Sequence, residues 1–261
     1  MTPPRSIEEK AREQFDRQSD HYGKSHVLAQ TDDLRSVLSV LSPQAGQRLL
    51  DIATGAGHTA VYFARLGLHV TASDISENML QKTNQLAKEA GVDLEINQHP
   101  AEKLPYPDGS FDLVTCRVAA HHFSCPASFS MEVSRVLRPG GHFLLIDGTV
   151  EDGYPEAEAW AHDVETLRDP SHNQLVTPDK WSHLIGHVAM KVVHRELLPL
   201  KQPDLEWYFE TAATPPENQK KVRELVANPP KEAKQLFKIA HEDGKWVWWW
   251  QRLILAARKL S

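Results

Sequence analysis

Apolar and amphipathic segments alternate along most of this chain. Short apolar runs recur and predict seven β-strands, at residues 49–53, 68–73, 93–98, 111–116, 142–147, 190–198 and 245–257. Between the first five strands, apolar residues recur at helical spacing, as in 77–90 and 127–137. Strands that alternate with helices form right-handed βαβ units, whose parallel strands are covered by helices on both faces. The pattern therefore predicts a doubly wound α/β fold around a seven-stranded, mostly parallel sheet.

Helical patterns flank this alternation on both sides. Ser6 and Glu9 form a capping-box pattern at the start of a predicted helix over 7–18, and Thr31 is the candidate N-cap of a second helix. Beyond residue 150, helices are predicted for most of the chain up to the closing strands. We expect an N-terminal helical lid over 1–42, a ligand-binding core over 43–150, and a segment over 151–261 that joins a helical cap insertion to the closing strands of the same sheet.

A glycine-rich turn follows the first predicted strand. Gly55 and Gly57 lie one residue apart, between the apolar run 49–53 and a predicted helix that starts near Thr59. Glycine takes positive φ freely, and without a Cβ it lets a ligand approach the backbone. Ligands of doubly wound sheets bind beyond the carboxyl ends of the strands. We therefore expect a cofactor to bind at this turn.

Two acidic residues distinguish between the cofactors that such a turn can bind. Asp74 ends the second strand, where a ribose-binding acid is expected for a dinucleotide and for S-adenosylmethionine alike. Asp51 would repel a dinucleotide pyrophosphate but suits the ammonium and sulfonium charges of S-adenosylmethionine. The sequence therefore favours a methyltransferase. An NAD(P)-dependent oxidoreductase and a non-catalytic nucleotide-binding protein are the alternatives.

The composition argues against several classes of partner. A formal net charge of −6 over 261 residues indicates no basic surface for nucleic acid or an anionic membrane. The two cysteines, Cys116 and Cys125, allow no disulfide framework and fit a reducing compartment. The N-terminal residues lack the apolar core of a signal peptide, and no window suits a membrane span. We expect a soluble cytoplasmic protein, monomeric or homodimeric, that binds no nucleic acid and does not insert stably into a membrane.

Five motifs fall in the order and at the intervals of a known family. They occupy residues 49–58, 74–80, 101–112, 116–123 and 132–141. Together they resemble class I S-adenosylmethionine-dependent methyltransferases, in particular the ubiquinone/menaquinone biosynthesis C-methyltransferase group (methyltransferase type 11). The resemblance extends over residues 10–150. It implies a Rossmann-like fold, S-adenosylmethionine as cofactor and S-adenosylhomocysteine as product.

The resemblance also implies where each part of the cofactor binds. Asp51 and the backbone of the glycine turn would hold the methionine end, and Asp74 would bind both ribose hydroxyls. Ile75 and Met79 would pack on the adenine. The implied cofactor-binding residues are Asp51, Ala53, Thr54, Gly55, Ala56, Gly57, His58, Asp74, Ile75, Met79, Ala101, Glu102 and Arg117.

Three of these positions need comment. Ala101, through its backbone, and Glu102 would lie at the edge of the adenine, and Arg117 would lie beneath the methionyl amine. The family usually has Asp immediately before the Ala-Glu pair, whereas this chain has Pro100. Adenine recognition is therefore expected from the backbone or from His99. From its position alone, His58 either touches the cofactor carboxylate or simply begins the helix.

The candidate catalytic residues are two neighbouring histidines. Methyl transfer is an in-line displacement on an activated carbon, so the protein has mainly to align the acceptor and exclude water. A base assists when the acceptor is a hydroxyl or an acidic carbon, and histidine suits that role near neutral pH. His121 and His122 follow the fourth strand on the cofactor side of the sheet. We expect one of them, preferably His122, to contact the acceptor; the alternative is that they only hydrogen-bond a loop and shape the pocket.

A group of polar side chains after residue 150 raises the question of a metal. Glu158, His162, Glu165 and Asp169 are spaced to share one helix face, and His172 follows. With His121 and His122 they could surround a divalent cation. A solvated charged face is the simpler interpretation, so we predict no metal requirement. The expected partner is a small-molecule acceptor, and group resemblance implies a phenol, quinol or related natural product methylated on carbon or oxygen.

Overall fold

The computed structural model describes residues 6–22 and 29–261, and only the backbone within 18–22. In these ranges the strands are β1 (Arg48–Ile52), β2 (His69–Asp74), β3 (Glu95–Gln98), β4 (Phe111–Arg117), β5 (Leu137–Thr149), β6 (Met190–Gln202), β7 (Ala240–Glu242) and β8 (Lys245–Lys259). The α-helices are α1 (Ile7–Tyr22), α2 (Asp32–Ser36), α3 (Leu38–Leu41), α4 (His58–Arg65), α5 (Glu77–Ala90), α6 (Pro126–Val136), α7 (Pro155–Arg168), α8 (Pro178–His187), α9 (Leu205–Ala212), α10 (Pro216–Ala227) and α11 (Lys231–Leu236). A 3₁₀ helix covers Ala120–His122. No helix in these ranges is both long and apolar enough to cross a membrane.

The strands of the described residues form one mixed sheet in the order β3-β2-β1-β4-β5-β8-β6, with β7 paired to β8. Strands β1 to β5 are parallel, whereas β8 runs antiparallel to both β5 and β6. The prediction of a doubly wound, mostly parallel α/β sheet is confirmed. The chain proceeds from β1 outward to β2 and β3, then returns to β4 on the other side of β1. The carboxyl ends of β1 and β4 therefore border the crevice in which such sheets bind ligands.

The prediction of seven strands omits the short strand β7. It pairs with β8 across a two-residue turn in which Asp243 and Gly244 both have positive φ, 46° and 79°, as a type I′ hairpin requires. The helical pattern expected before the closing strands stops short of this hairpin, because α11 ends at Leu236 and β7 begins at Ala240.

Among the described residues, most of the buried apolar side chains fall into three clusters. Leu49 and Leu50 of β1 belong to clusters on opposite faces of the sheet, as side chains alternate along a strand. Burial on both faces explains why the parallel strands are continuous apolar runs. A third cluster lies among the helices after residue 150, where Trp160 and Phe237 stack with ring centroids 5.5 Å apart. The division of the chain at residues 42 and 150 stays a prediction.

The N-terminal helices follow the predicted signals in part. The capping box is confirmed, since the Ser6 N–H donates to Glu9 Oε2 at 2.8 Å and the Glu9 N–H donates to Ser6 Oγ at 3.1 Å. Thr31 lies at the N-cap of α2, but its side chain makes no capping hydrogen bond. The helix predicted after Thr31 is divided at Val37 into α2 and α3.

Helix α1 is bonded to two other parts of the molecule. Ser76 Oγ, at the N-cap of α5, donates to Asp16 Oδ1 at 2.6 Å. Gln14 Nε2 donates to the carbonyl of Ala212, at the end of α9, at 3.0 Å. Helix α1 therefore connects the start of α5 to the helices of the third apolar cluster.

Candidate cofactor and acceptor site

The glycine turn after β1 needs glycine for two different reasons. Gly57 has φ of 90°, and a Cβ on it would lie 2.9 Å from Thr83 Cγ2 and 3.0 Å from Thr83 Cα. The turn thus packs directly against α5, and Thr83 Oγ1 donates to the Gly55 carbonyl at 2.8 Å. Gly55 has φ of 57°, and a Cβ on it would meet nothing within 4 Å. Gly57 allows the close packing of the turn, whereas Gly55 leaves open space beside the turn.

Asp74 is fixed by the same turn. Its Oδ2 accepts the Gly55 N–H at 2.9 Å and its Oδ1 accepts the Ser76 N–H at 2.9 Å. Burial raises the pKa of Asp74 to about 6, although these backbone donors favour the charged form. Each carboxylate oxygen can accept a further hydrogen bond. Asp74 can therefore bind two hydroxyl groups of a ligand, as the ribose of a nucleoside would require.

Asp51 is buried between two threonine hydroxyls at the end of β1. Its Oδ2 accepts from Thr54 Oγ1 and its Oδ1 accepts from Thr115 Oγ1, each at 2.6 Å. The residue is 1% exposed, and burial raises its pKa to about 6. Asp51 is not part of the cavity wall, whereas Thr54 is. A ligand in the cavity would therefore interact with the charge of Asp51 or with Thr54, which Asp51 orients.

An open cavity lies against the glycine turn. Twelve of the predicted site residues line it: Ala53, Thr54, Gly55, Ala56, His58, Asp74, Ile75, Met79, Ala101, Glu102, Arg117 and His122. Asp51, Gly57 and His121 do not. The sequence analysis assigned no site role to several further wall residues, which are Glu8, Ala11, Phe15, Thr59, Val118, Ala119 and Phe123. The capping box and apolar spacing of α1 predict a helix, but they do not indicate which cavity the helix lines.

The His99 ring is already hydrogen-bonded at both nitrogens. Nδ1 lies 3.0 Å from the Pro100 carbonyl, which only accepts, so Nδ1 carries the proton. Nε2 then accepts from the Tyr106 hydroxyl at 2.9 Å. Burial lowers the pKa of His99, which favours this neutral form. His99 and Pro100 line the cavity, and of the two predicted sources of adenine recognition this bonding favours the backbone.

Arg117 lines the cavity but its guanidinium is paired with the N-terminal segment. Nε donates to Asp33 Oδ2 at 2.9 Å, and Arg252 donates to the same oxygen at 3.2 Å. Arg117 also donates to the Gln30 carbonyl at 2.7 Å. The Asp33 side chain is 7% exposed, so one buried carboxylate serves two arginines. This arrangement holds α2 against the end of β4 and the middle of β8.

The two candidate catalytic histidines have opposite electrostatic environments. His121 Nδ1 lies 2.7 Å from Asp147 Oδ1; burial alone lowers the pKa of His121, but Asp147 outweighs burial and the pKa is raised. His122 Nδ1 lies 3.1 Å from both the carbonyl and the hydroxyl of Ser171. Burial and the neighbouring His121 lower the pKa of His122 to about 4. His122, which lines the cavity against Phe15, is therefore neutral at pH 7.

The loop after α7 supplies the surroundings of His122. Asp169 Oδ1 accepts both the N–H and the hydroxyl of Ser171, at 2.8 and 2.6 Å. Arg168 pairs with Glu165 at 3.1 Å. His172 is buried, and neither ring nitrogen has a hydrogen-bond partner among the described residues. Within those residues, no group of three or more His, Cys, Asp or Glu could hold a metal ion. The absence of a metal requirement stays a prediction.

The residues around the cavity fit S-adenosylmethionine. His58 Nε2 is buried on the cavity wall and has no hydrogen-bond partner among the described residues, and a buried polar atom without a partner is costly. The carboxylate at the methionine end of the cofactor would satisfy it. Asp74 offers acceptors for ribose hydroxyls, and Ile75 and Met79 offer an apolar surface for adenine.

Comparisons with known proteins agree with this fit. A methyltransferase-domain family model matches residues 50–145. The uncharacterised methyltransferase YcgJ of Bacillus subtilis (strain 168) is 31% identical over 235 residues, which are 88% of this chain and 91% of that protein. The YcgJ crystal structure matches with a TM-score of 0.81 at 28% identity, covering 89% of this chain and 100% of that one. A demethylmenaquinone methyltransferase of Clavibacter sepedonicus is 35% identical over 138 residues, 51% of this chain and 56% of that protein.

These matches extend beyond the glycine turn to most of the chain. The likeness to YcgJ covers 88% of this sequence at 31% identity, which decides against the NAD(P)-dependent oxidoreductase and the non-catalytic nucleotide-binding protein. The observed sheet and its glycine turn agree with that assignment. This chain belongs to the class I S-adenosylmethionine-dependent methyltransferases.

Proposed function

We propose that this enzyme methylates a small apolar molecule with an acidic hydroxyl group: a phenol, a quinol or a related natural product, on that oxygen or on a neighbouring carbon. One observation carries the proposal. A single cavity extends from Asp74 at the glycine turn to the neutral His122. The wall formed by α1 and residues 118–123 is apolar apart from Glu8 and His122. Such a wall suits an apolar acceptor with one polar group.

The proposed roles follow from these contacts. When bound, S-adenosylmethionine supplies a methyl group that its sulfonium already activates. Asp74 and the turn backbone bind and orient the nucleoside, and His58 binds the carboxylate. Phe15 and the neighbouring apolar side chains exclude water from the acceptor. His122 accepts the hydroxyl proton of the acceptor on a ring that its lowered pKa keeps neutral at pH 7.

The comparison with a quinone methyltransferase supports the acceptor class. The Clavibacter relative is named for demethylmenaquinone, and its match with this chain covers half of the sequence. We propose the same class of acceptor for this chain. A reduced quinone has a phenol-like hydroxyl and an apolar body, which suit His122 and Phe15 of the cavity wall.

Calorimetric titration with S-adenosylhomocysteine, beside NAD and NADP, tests the cofactor site. Of the three ligands, we expect only S-adenosylhomocysteine to bind. Asp74→Ala should weaken its binding by about thirtyfold or more, because hydrogen bonds to a charged group contribute about 1.5–3 kcal/mol each. Asp93→Ala is the matched control, since Asp93 is exposed and lies outside the cavity wall. Unchanged binding by Asp74→Ala would contradict the proposed ribose site.

A product assay with a panel of acceptors tests the substrate class. We expect formation of S-adenosylhomocysteine with phenols and quinols and not with amines or carboxylates of similar size. Turnover of amines alone would refute the proposed substrate class and leave the family assignment intact.

A further inference from the structure

We propose that Ser171 and Asp169 hold the neutral His122 ring as its Nδ1–H tautomer, so that the Nε2 lone pair faces the acceptor and takes its hydroxyl proton. The inference rests on the proposed function, because it assumes that the acceptor presents a hydroxyl to His122. It assigns Ser171 and Asp169 as positioning residues. Both lie on the loop between α7 and α8, and neither lines the cavity.

The hydrogen bonds determine which ring nitrogen carries the proton. The Ser171 carbonyl, 3.1 Å from His122 Nδ1, can only accept. The Ser171 hydroxyl, also 3.1 Å from Nδ1, donates its hydrogen to Asp169 Oδ1 at 2.6 Å and therefore offers a lone pair to His122. Both neighbours of Nδ1 are acceptors, so Nδ1 must be the donor. A neutral imidazole carries one ring proton, which leaves Nε2 with a free lone pair.

The Ser171 hydroxyl donates its hydrogen to Asp169, because the carboxylate of Asp169 is an acceptor for both donors of Ser171. Asp169 Oδ1 also accepts the Ser171 N–H at 2.8 Å, and the Asp169 side chain is buried at 3% exposure. The two Ser171 donors and the neighbouring Arg168 favour the ionised form of Asp169, although burial opposes it. An ionised carboxylate has no hydrogen to give, so the direction of the Ser171–Asp169 hydrogen bond is fixed.

The remaining ring nitrogen faces away from this loop. Nδ1 and Nε2 lie on opposite sides of the ring, and His122 is part of the cavity wall. Nε2 makes no hydrogen bond to any described residue. Phe15 packs edge-on against the ring, with centroids 4.8 Å apart, and the His121 ring lies 4.1 Å away. These contacts fix the ring plane, and Ser171 fixes the proton.

The step balances in atoms and charge. The O–H bond of the acceptor breaks and its proton passes to Nε2. The acceptor oxygen, or its neighbouring carbon, gains the methyl group, while the bond between methyl and sulfur breaks and leaves its electron pair on sulfur. When a ring carbon gains the methyl group, that carbon then loses its own proton to solvent. The positive charge thus moves from sulfur to the His122 ring, whose Nδ1–H remains bonded to Ser171 and close to the Asp169 carboxylate.

Long-range proton–nitrogen correlation spectra of nitrogen-labelled protein test the tautomer directly, without any acceptor. The His122 signals are assigned from the spectrum of His122→Gln. Near neutral pH we expect Nδ1 to resonate as a protonated nitrogen and Nε2 as a nitrogen with a lone pair. The reverse pattern in the wild-type protein would overturn the inference, and this measurement needs no folded variant of the loop.

Variants of Ser171 test the positioning role. Ser171→Ala keeps the carbonyl but loses the hydroxyl, so we expect the ratio of Nδ1–H to Nε2–H forms to fall about fivefold, the change that one ordinary hydrogen bond supports. Ser171→Thr retains the hydroxyl and should restore the ratio, and Ser182→Ala on α8 is a matched control. An unchanged ratio in Ser171→Ala would refute the assignment.

Kinetic constants separate this inference from the proposed function. With a phenol or quinol acceptor, Ser171→Ala should lower kcat while the KM for S-adenosylmethionine stays unchanged, and Ser171→Thr should recover kcat. Absence of turnover with every hydroxyl acceptor would refute the proposed function and the proton transfer, even with the expected tautomer. Turnover of phenols by a wild-type enzyme with the Nε2–H tautomer would refute only the inference.

Discussion

Alanine substitutions in the glycine turn should separate folding from ligand binding. Alanine at positive φ costs about 1–2 kcal/mol. In Gly57→Ala the new Cβ also meets Thr83 atoms at 2.9, 3.0 and 3.1 Å, and such overpacking adds about 1–3 kcal/mol. We therefore expect Gly57→Ala to lower the free energy of unfolding by about 2–5 kcal/mol. Gly46→Ala isolates the backbone cost, because Gly46 has φ of 83° and nothing within 4 Å of a Cβ.

Gly55→Ala should have the opposite profile. Its Cβ enters open space at the cavity, so we expect only the backbone cost of about 1–2 kcal/mol in unfolding but a five- to hundredfold weaker binding of S-adenosylhomocysteine, equivalent to about 1–3 kcal/mol. Urea unfolding followed by circular dichroism and calorimetric titration give the two quantities. If Gly57→Ala lost no more stability than Gly46→Ala, or if Gly55→Ala bound the ligand like the wild type, this account of the turn would be wrong.

Two further predictions concern buried carboxylates. Burial raises the pKa of Asp51 from 3.8 to about 6, so the carboxyl of the unfolded chain loses its proton at lower pH than the folded one. The free energy of unfolding of the wild type therefore falls as pH rises through that interval. Urea unfolding at several pH values should show Asp51→Asn more stable than the wild type above pH 6, by up to about 3 kcal/mol. Equal stability of the two proteins at all pH values would contradict the burial argument. Asp33→Asn removes the carboxylate that Arg117 and Arg252 share and should lower the free energy of unfolding by about 3–5 kcal/mol. The control is Asp32→Asn, at a side chain 87% exposed, which should change the free energy of unfolding by less than about 0.5 kcal/mol. A loss in Asp33→Asn no larger than in the Asp32 control would show that the shared ion pair contributes little.

The sheet and the glycine turn were predictable because their signals are local. Apolar runs, the spacing of Gly55 and Gly57, and the Asp243-Gly244 turn each specify structure within a few residues. Strand β7 was missed because three residues are too short for a periodic pattern, and they are stabilised by pairing with β8.

The candidate site was predictable where a side chain's position depends on its neighbours in sequence. Contacts between residues distant in sequence were not predictable. Asp51 was expected at the ligand, and its hydrogen bond with Thr115 was not predicted, because the two residues meet only where β1 and β4 are neighbours. Arg117 was expected beneath the methionyl amine, and Asp33 and Arg252 engage its surroundings from two other elements. The hydrogen bond between His122 and Ser171 could not be predicted either, because Ser171 lies on the loop after α7, far from His122 in sequence.

The double attachment of α1 has a consequence for the order of events in a catalytic cycle. One wall of the cavity is a helix bonded through Asp16 to the start of α5 and through Gln14 to the end of α9. Widening the cavity on that side requires both attachments to break, and the second of them joins α1 to a helix of the third apolar cluster. Departure of the demethylated nucleoside and arrival of the next acceptor on this side would then share one slow opening step, so the two exchanges would have a common rate.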